Sequence, residues 1–228
     1  MKINNIHSWI MSVKEAKNIQ EMHRSKVILE GNTGANLKLI AGADVSYSSK
    51  TGKLYAGVVV QEYPAFTEKE SAVMEAKAEF PYIPGYLSFR EGKILLEVFK
   101  VIKNSPDAVI FDGQGYAHPR RFGIACHLGL FLNIPCAGCA KKRLIGIHEE
   151  VGQTKGSHTI LYHDKEIIGT VLRTKDNVKP VYISPGNRIG FTDAWKLVLS
   201  VCTKYRLPEP IRAAHNLVNK YRKWEEKL

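Results

Sequence analysis

The sequence predicts an α/β fold in which strands and helices alternate along a single domain, residues 1–228. Short apolar runs closed by turn residues take turns with segments whose apolar side chains recur at helical spacing. No Pro/Ser-rich linker, internal repeat or low-complexity tract divides the 228 residues, a length that one large domain accommodates. No apolar stretch approaches the roughly 20 residues of a membrane span. The N-terminal segment is broken throughout by polar side chains, unlike a signal peptide. A cytoplasmic protein is expected.

The first helix is expected over residues 13–21. Residues 37–47, Leu-Lys-Leu-Ile-Ala-Gly-Ala-Asp-Val-Ser-Tyr, read as an apolar strand with one acid, Asp44, in its interior. A turn-rich stretch at 48–52 joins it to a partner strand at 54–60. After a loop from Gly85, the spacing of Ile94, Leu95, Val98, Phe99 and Ile102 predicts an amphipathic helix over 88–103. Unbroken hydrophobicity at 108–111 marks a buried strand, followed by a helix at 120–132 and a strand at 136–140. Strands at 159–162 and 167–173 and helices at 192–205 and 209–223 complete the elements.

Three acids carry the chemistry. Asp112 leaves the 108–111 strand at the sheet edge, where open α/β folds gather ligands. It opens the run Asp-Gly-Gln-Gly-Tyr-Ala-His-Pro-Arg-Arg, which presents a histidine and two guanidinium groups. Asp44 repeats the design, and an ionised aspartate is rarely buried unless it is paired or bound to a metal. Glu91 falls in line with Leu95, Val98 and Ile102 at about 100° per residue, on the core-facing stripe of the first helical turn. A helix dipole explains an acid in a first turn but not one on the apolar face. Each acid alone is an ordinary strand-end or helix-start residue; three on separate core elements point to a shared site.

Converging carboxylates raise one another's pKa values, so a cation must hold them ionised. Oxygen donors without a thiolate or histidine-rich set favour Mg²⁺ or Mn²⁺ over zinc. Such ions activate water and stabilise the leaving oxygen in phosphodiester cleavage, and one ion or two fit these residues equally.

Composition points to the same substrate. Lys and Arg (33) exceed Asp and Glu (22), for a net charge of +11, which suits a polyanionic partner. Basic residues concentrate at 120–121, 141–143 and 220–223. Such runs are ordinarily solvated faces, but the first two follow apolar strands, which sets them beside the acids. Lys141 at a strand exit is placed to neutralise phosphate. His118 and Arg120, in the loop after Asp112, are placed to contact phosphate. His215 is in phase with Ile211, Ala214 and Val218, a pattern that fits a core histidine as well as a site residue. Phe80-Pro81-Tyr82-Ile83-Pro84 holds a stiff aromatic between prolines, suited to wedging into a base stack or to packing on the surface. The Cys136–Cys139 pair lacks the second pair that a structural zinc wants, and its members face opposite sides of a strand. With Cys126 and Cys202 these read as core packing in a reducing compartment.

The ordered set of motifs resembles the endonuclease V family. It comprises Ala-Gly-Ala-Asp-Val-Ser-Tyr at 41–47, Pro-Tyr-Ile-Pro-Gly at 81–85 running into Phe-Arg-Glu at 89–91, the stretch 112–121, and Ala140-Lys141. Val-Tyr-Ile-Ser-Pro-Gly at 181–186 and Tyr-Arg-Leu-Pro-Glu-Pro at 205–210 extend it toward the C-terminus. The resemblance implies an RNase H-like fold, a central mixed β-sheet flanked by helices. It implies a Mg²⁺-dependent repair endonuclease, with Mn²⁺ as the alternative ion, acting on DNA that contains deoxyinosine. Cleavage would fall at the second phosphodiester bond 3′ to the lesion, leaving 3′-hydroxyl and 5′-phosphate ends. Asp44 and Asp112 match the metal-binding aspartates, Glu91 the third acid, and Lys141 and His215 the remaining catalytic positions. Tyr82, with Ile83 and Pro84, matches the wedge that separates strands. Gly85, Gly113 and Gly138 match positions around the pocket for the flipped base. Gln114 and Asn187 stand where the family commonly has histidine, departures that bear on substrate preference or pH dependence. A monomer without membrane contact is expected. Two rival functions are cleavage of inosine in RNA and a non-catalytic nucleic-acid-binding module; the second would carry the loss of an acid, and all three are present.

Overall fold

Helix α1 (Val13–His23) opens on a capping box in which the Ser12 hydroxyl accepts from the Glu15 N–H and the Glu15 carboxylate from the Ser12 N–H. Strands β1 (Leu39–Tyr47), β2 (Lys53–Glu62) and β3 (Thr67–Lys77) form an antiparallel meander. Helix α2 (Leu87–Val101) leads to β4 (Ala108–Phe111), parallel to β1, and α3 (Ile124–Leu132) leads to β5 (Cys136–Ala140), parallel to β4. Strands β6 (His158–His163), β7 (Glu166–Leu172) and β8 (Val181–Asn187) continue antiparallel from β5, and α4 (Phe191–Ser200) and α5 (Glu209–Glu225) follow. The result is one eight-stranded mixed sheet in the order β3-β2-β1-β4-β5-β8-β7-β6, with helices on both faces, the class the sequence predicts. The computed structural model describes residues 1–9, 11–31, 33 and 37–227. Among these no helix is long and apolar enough to cross a membrane.

Strand alternation divides the core in two. Ala41, Ala43, Val109 and Phe111 face α2 and α3, packing with Leu95, Val98, Phe99 and Leu128. Ile40, Ile110, Ala137 and Cys139 face the other way, against Leu197 and Val198 of α4 and Ile211 of α5. Cys136 and Cys139 therefore serve opposite layers, and all four cysteines are free and buried. Gly42 sets how closely α5 approaches β1: a Cβ there would lie 2.1 Å from the Pro210 carbonyl. No side chain larger than hydrogen fits under that helix start.

Several boundaries differ from the sequence reading. The helix predicted at 120–132 starts only at Ile124, because Arg121 sits at φ 56° in a turn closed by its N–H to the His118 carbonyl. The helix predicted to 205 stops at Ser200, so Cys202 is buried beyond its end. Strands β3 and β8 lie outside every predicted strand. β3 is an edge strand of sequence Thr-Glu-Lys-Glu-Ser-Ala-Val-Met-Glu-Ala-Lys, whose composition favours helix. Pairing with β2 overrides that propensity. β8 contains Pro185 and Gly186, which argue against a central strand. A register shift opposite Cys136/Ala137 accommodates them as a bulge.

Candidate active site

Parallel pairing aligns Ala43 with Phe111 and Phe111 with Gly138. The next residues along, Asp44 and Asp112, therefore stand side by side on adjacent strands, with Lys141 just beyond β5. Ile211, seated over Gly42, carries His215 one helical turn later to the same place. Ligand atoms of Asp44, Asp112 and His215 all lie within 4.8 Å of one another. His215 Nδ1 is 2.7 Å from Asp44 Oδ2, and the Lys141 ammonium is hydrogen-bonded to Asp112 Oδ2. Asn219, one turn further along α5, offers its amide N–H to His215 Nε2 at 3.2 Å. That sets the proton of a neutral His215 on Nδ1, aimed at Asp44, and a cation held here would have to displace it before Nδ1 could serve as a ligand.

The electrostatics are those of a site short of positive charge. Burial and then Asp112 raise the Asp44 carboxyl above its usual range. Burial, then Asp44 and Asp112, push Glu91 up to about 8. Two carboxylates and an imidazole form a donor set for a divalent cation, and such a charge would relieve both shifts.

Glu91 stands apart from that trio. It lies in the second turn of α2, which begins at Leu87, one residue earlier than the sequence indicates. α2 packs on the sheet face opposite α5, so Glu91 reaches the strand ends from the other layer. It is close enough to feel both aspartates but is not among the ligand atoms that cluster.

Beside the acids lies a cavity of about 210 Å³, lined by Tyr82, Ile83, Pro84, Gly85, Gly113, Gln114 and His118 among others. Tyr82 is 70 % exposed, standing free at its rim. Gly138 does not line this cavity: it lies beneath the 113–115 turn, where a Cβ would come within 2.5–2.7 Å of that backbone. Its missing side chain sets the depth of the floor rather than room for a ligand.

His118 and Arg120 spend their polar atoms inside the protein. The Gly85 carbonyl accepts from His118 Nε2 at 3.0 Å, Arg120 Nη2 at 2.8 Å and Gln20 Nε2 at 3.0 Å. The Arg120 N–H donates to His118 Nδ1 at 3.2 Å, and the Arg120 guanidinium also bonds Gln20 and lies over the Tyr86 ring. Burial, then Arg120, holds His118 down to about 4, so it is neutral. The pair clamps the loop that ends the Pro-Tyr-Ile-Pro tip, a different job from the phosphate contact expected of it.

Three contributors went unmarked in the sequence. Gln20 reaches the clamp from α1. Arg206 fixes the start of the Lys141 loop by donating to the Lys141 and Pro180 carbonyls, both at 2.8 Å. Asn219 carried one legible signal, its i+4 spacing from His215. Gln114 donates to the Lys142 carbonyl at 3.0 Å, and Asn187 donates to the Gly129 carbonyl and accepts from the Ile28 N–H, both at 3.0 Å. Asn187 is thus a buried structural residue remote from the acids' strand ends.

The sequence profile of the Endonuclease V family matches residues 21–216. Endonuclease V of Dehalococcoides mccartyi is 46 % identical over 215 residues, covering 94 % of this chain and 96 % of the relative. The crystal structure of the Streptomyces avermitilis endonuclease V superposes with a TM-score of 0.91 at 32 % identity, over 99 % of this chain and all of that one. Endonuclease V of Ciona intestinalis, solved in complex with a 24mer DNA containing an inosine followed by a ribo-adenosine, has a TM-score of 0.80 at 28 % identity, covering 92 % of this chain and 97 % of its own.

Proposed function

The chain belongs to the endonuclease V family, with its RNase H-like fold and its hydrolysis of phosphodiester bonds, and from that premise we propose a specific substrate and site chemistry. The substrate is DNA carrying deoxyinosine, cut at the second phosphodiester bond 3′ to the lesion. The observation that carries this reading is the meeting of Asp44, Asp112 and His215 within 4.8 Å, next to a cavity lined by Gly113, the residue after Asp112, and roomy enough for part of a base. The inosine-containing DNA bound by the Ciona relative supports the choice of base.

Asp44 and Asp112, with His215 as a third donor, would hold Mg²⁺ or Mn²⁺, and Glu91 would join through water. When bound by these residues, the ion would supply an activated water and positive charge for the leaving oxygen. Lys141 is held beside Asp112 and turns its charge to the phosphate as negative charge develops. Tyr82 enters the base stack, and its loop keeps its position through the clamp on Gly85. The glycine-lined wall takes the extruded base. In this reading the whole chain acts as one unit, a monomer in the cytoplasm, and a non-catalytic role is set aside because no acid is missing.

Cleavage-site mapping on an inosine duplex with and without Mg²⁺ tests the proposal. Asp112→Asn should lose at least ~100-fold in nicking rate while still binding the duplex. Full nicking by that variant would remove Asp112 from the site. A second reading, inosine in RNA, is favoured by one specific feature, the ribo-adenosine that follows inosine in the Ciona complex. Matched DNA and RNA substrates decide between them through the 2′-hydroxyl.

A further inference from the structure

Behind the cavity wall runs a chain of hydrogen bonds that the cleavage mechanism does not use. Ser88 lines the cavity and is buried, and its hydroxyl lies 2.8 Å from His127 Nδ1. His127 on α3 is fully buried, and its Nε2 is 2.6 Å from Nε2 of His7. His7 Nδ1 is 2.7 Å from the Ser8 carbonyl. Protons in this chain can be assigned from one end. A carbonyl only accepts, so His7 carries its proton on Nδ1 and, when neutral, offers Nε2 as an acceptor. His127 must then donate from Nε2, and burial keeps it neutral, so its Nδ1 is bare. The Ser88 hydroxyl therefore gives its only proton to His127.

We propose that Ser88 is a specificity-determining residue of the base cavity, fixed by His127 and His7 as a hydrogen-bond acceptor toward the bound base. The proposal rests on the cavity being the base site, as argued above. An acceptor favours a purine edge that brings an N–H. Hypoxanthine carries hydrogen on N1, whereas adenine, from which deamination makes it, has a bare N1. The match costs nothing to organise at the moment of binding, because the histidines hold the serine proton away beforehand. Gln114 and the backbone around Gly113 complete the same wall.

The chain is also reversible. On uptake of one proton, the hydrogen between the two Nε2 atoms passes to His7, and His127 Nδ1 takes the serine proton. The added proton stays on Ser88, which then becomes a donor. Around His7 the titratable groups are His23 at the end of α1 and His127 on α3, with Lys26 beyond His23. Rings of Trp9, Phe89 and Phe131 fill the remaining sides. Burial disfavours a proton on His7, so the acceptor polarity holds at neutral pH and reverses only on acidification.

The test compares kcat/KM for duplexes carrying hypoxanthine and 1-deazahypoxanthine, which replaces the N1–H by C–H. Wild type should prefer hypoxanthine by about tenfold, the value of one well-made hydrogen bond. Ser88→Ala and His7→Phe should each compress that ratio to about twofold or less. In wild type alone the ratio should shrink on acidification, as His7 takes up a proton. Nitrogen-15 NMR of histidine-labelled protein should find His7 protonated on Nδ1 and His127 on Nε2. An unchanged ratio in Ser88→Ala, or His127 protonated on Nδ1 at neutral pH, overturns the proposal. If wild type cuts neither duplex, the nuclease reading fails instead, and the NMR result still decides the chain by itself.

Discussion

Glu91 shows how much one side chain reveals about a site built for a cation. Without metal its carboxyl is held up to about 8, first by burial and then by the two aspartates, so it carries a proton at neutral pH. In the unfolded chain a glutamate titrates near 4.3. Between those values the folded protein binds a proton that the unfolded chain does not. Stability from this group is therefore full below the unfolded pKa and is lost as pH rises through about 8. Glu91→Gln mimics the protonated form and should remove the effect. In chelator, the wild-type Tm should fall relative to the variant between pH 5 and pH 8.5. The size should be on the order of 3 kcal/mol, or roughly 6–12 °C for a chain of this length. Mg²⁺ should then stabilise wild type more than the variant, since only wild type gains an ionised acid. Parallel pH profiles for the two proteins in chelator would sink the electrostatic account. The sequence placed this acid on an apolar helical stripe, which is why it was legible; that it approaches from the layer opposite His215 was not.

Elements that read clearly are those whose identity is local. β1 and β4 are apolar runs closed by turn residues, and α2 and α5 carry helical periodicity, so the positions of Asp44, Asp112, Glu91 and His215 could be inferred. β3 could not, because its Glu, Lys and Ala content favours helix and only pairing to β2 makes it a strand. β8 could not, because its proline is tolerated through a bulge that the partner strand supplies. The clamp on Gly85 is not local either: His118 and Arg120 look like free cations until Gln20 arrives from a helix some hundred residues away. Close approach between elements is likewise invisible in one dimension, and Gly42 is the instance that matters for chemistry. A methyl group at this position would overlap the Pro210 carbonyl at 2.1 Å, backbone against backbone, so α5 must move. Gly42→Ala should cost roughly 1–3 kcal/mol as overpacking. It should also reduce nicking beyond what the lost stability explains, because His215 rides on the displaced helix. Urea titration beside nicking at a temperature where both proteins are folded separates the two effects. A variant that is destabilised but keeps its full nicking rate would show that α5 does not position the site.

At the scale of the whole molecule, topology and charge work toward one end of the sheet. Three adjacent parallel strands, β1, β4 and β5, deliver Asp44, Asp112 and Lys141 side by side. A net charge of +11 surrounds this acidic centre, which would otherwise repel a phosphodiester. Lys142 and Arg143 follow β5 along the cavity, while Lys220 and Lys223 of α5 lie in a surface depression with His215. Arg222, in the same depression, is already paired with Glu226 at 2.8 Å and has less to offer a phosphate. Each unpaired lysine that neutralises a phosphate releases counterions, which makes binding weaken with salt at a slope of about 0.9 per contact in a log–log plot. Replacing Lys220 and Lys223 together by Gln should therefore flatten the salt dependence of duplex affinity by roughly 2. It should raise KM with little change in kcat, since these charges touch the duplex equally before and during reaction. The effect should be the same for inosine and undamaged duplexes, because phosphate contacts carry no sequence information. Affinities measured by fluorescence anisotropy from 50 to 300 mM salt would give both slopes. An unchanged slope with a lower kcat would mean that α5 serves the chemistry through His215 alone and that the duplex runs along the Lys142 side of the sheet.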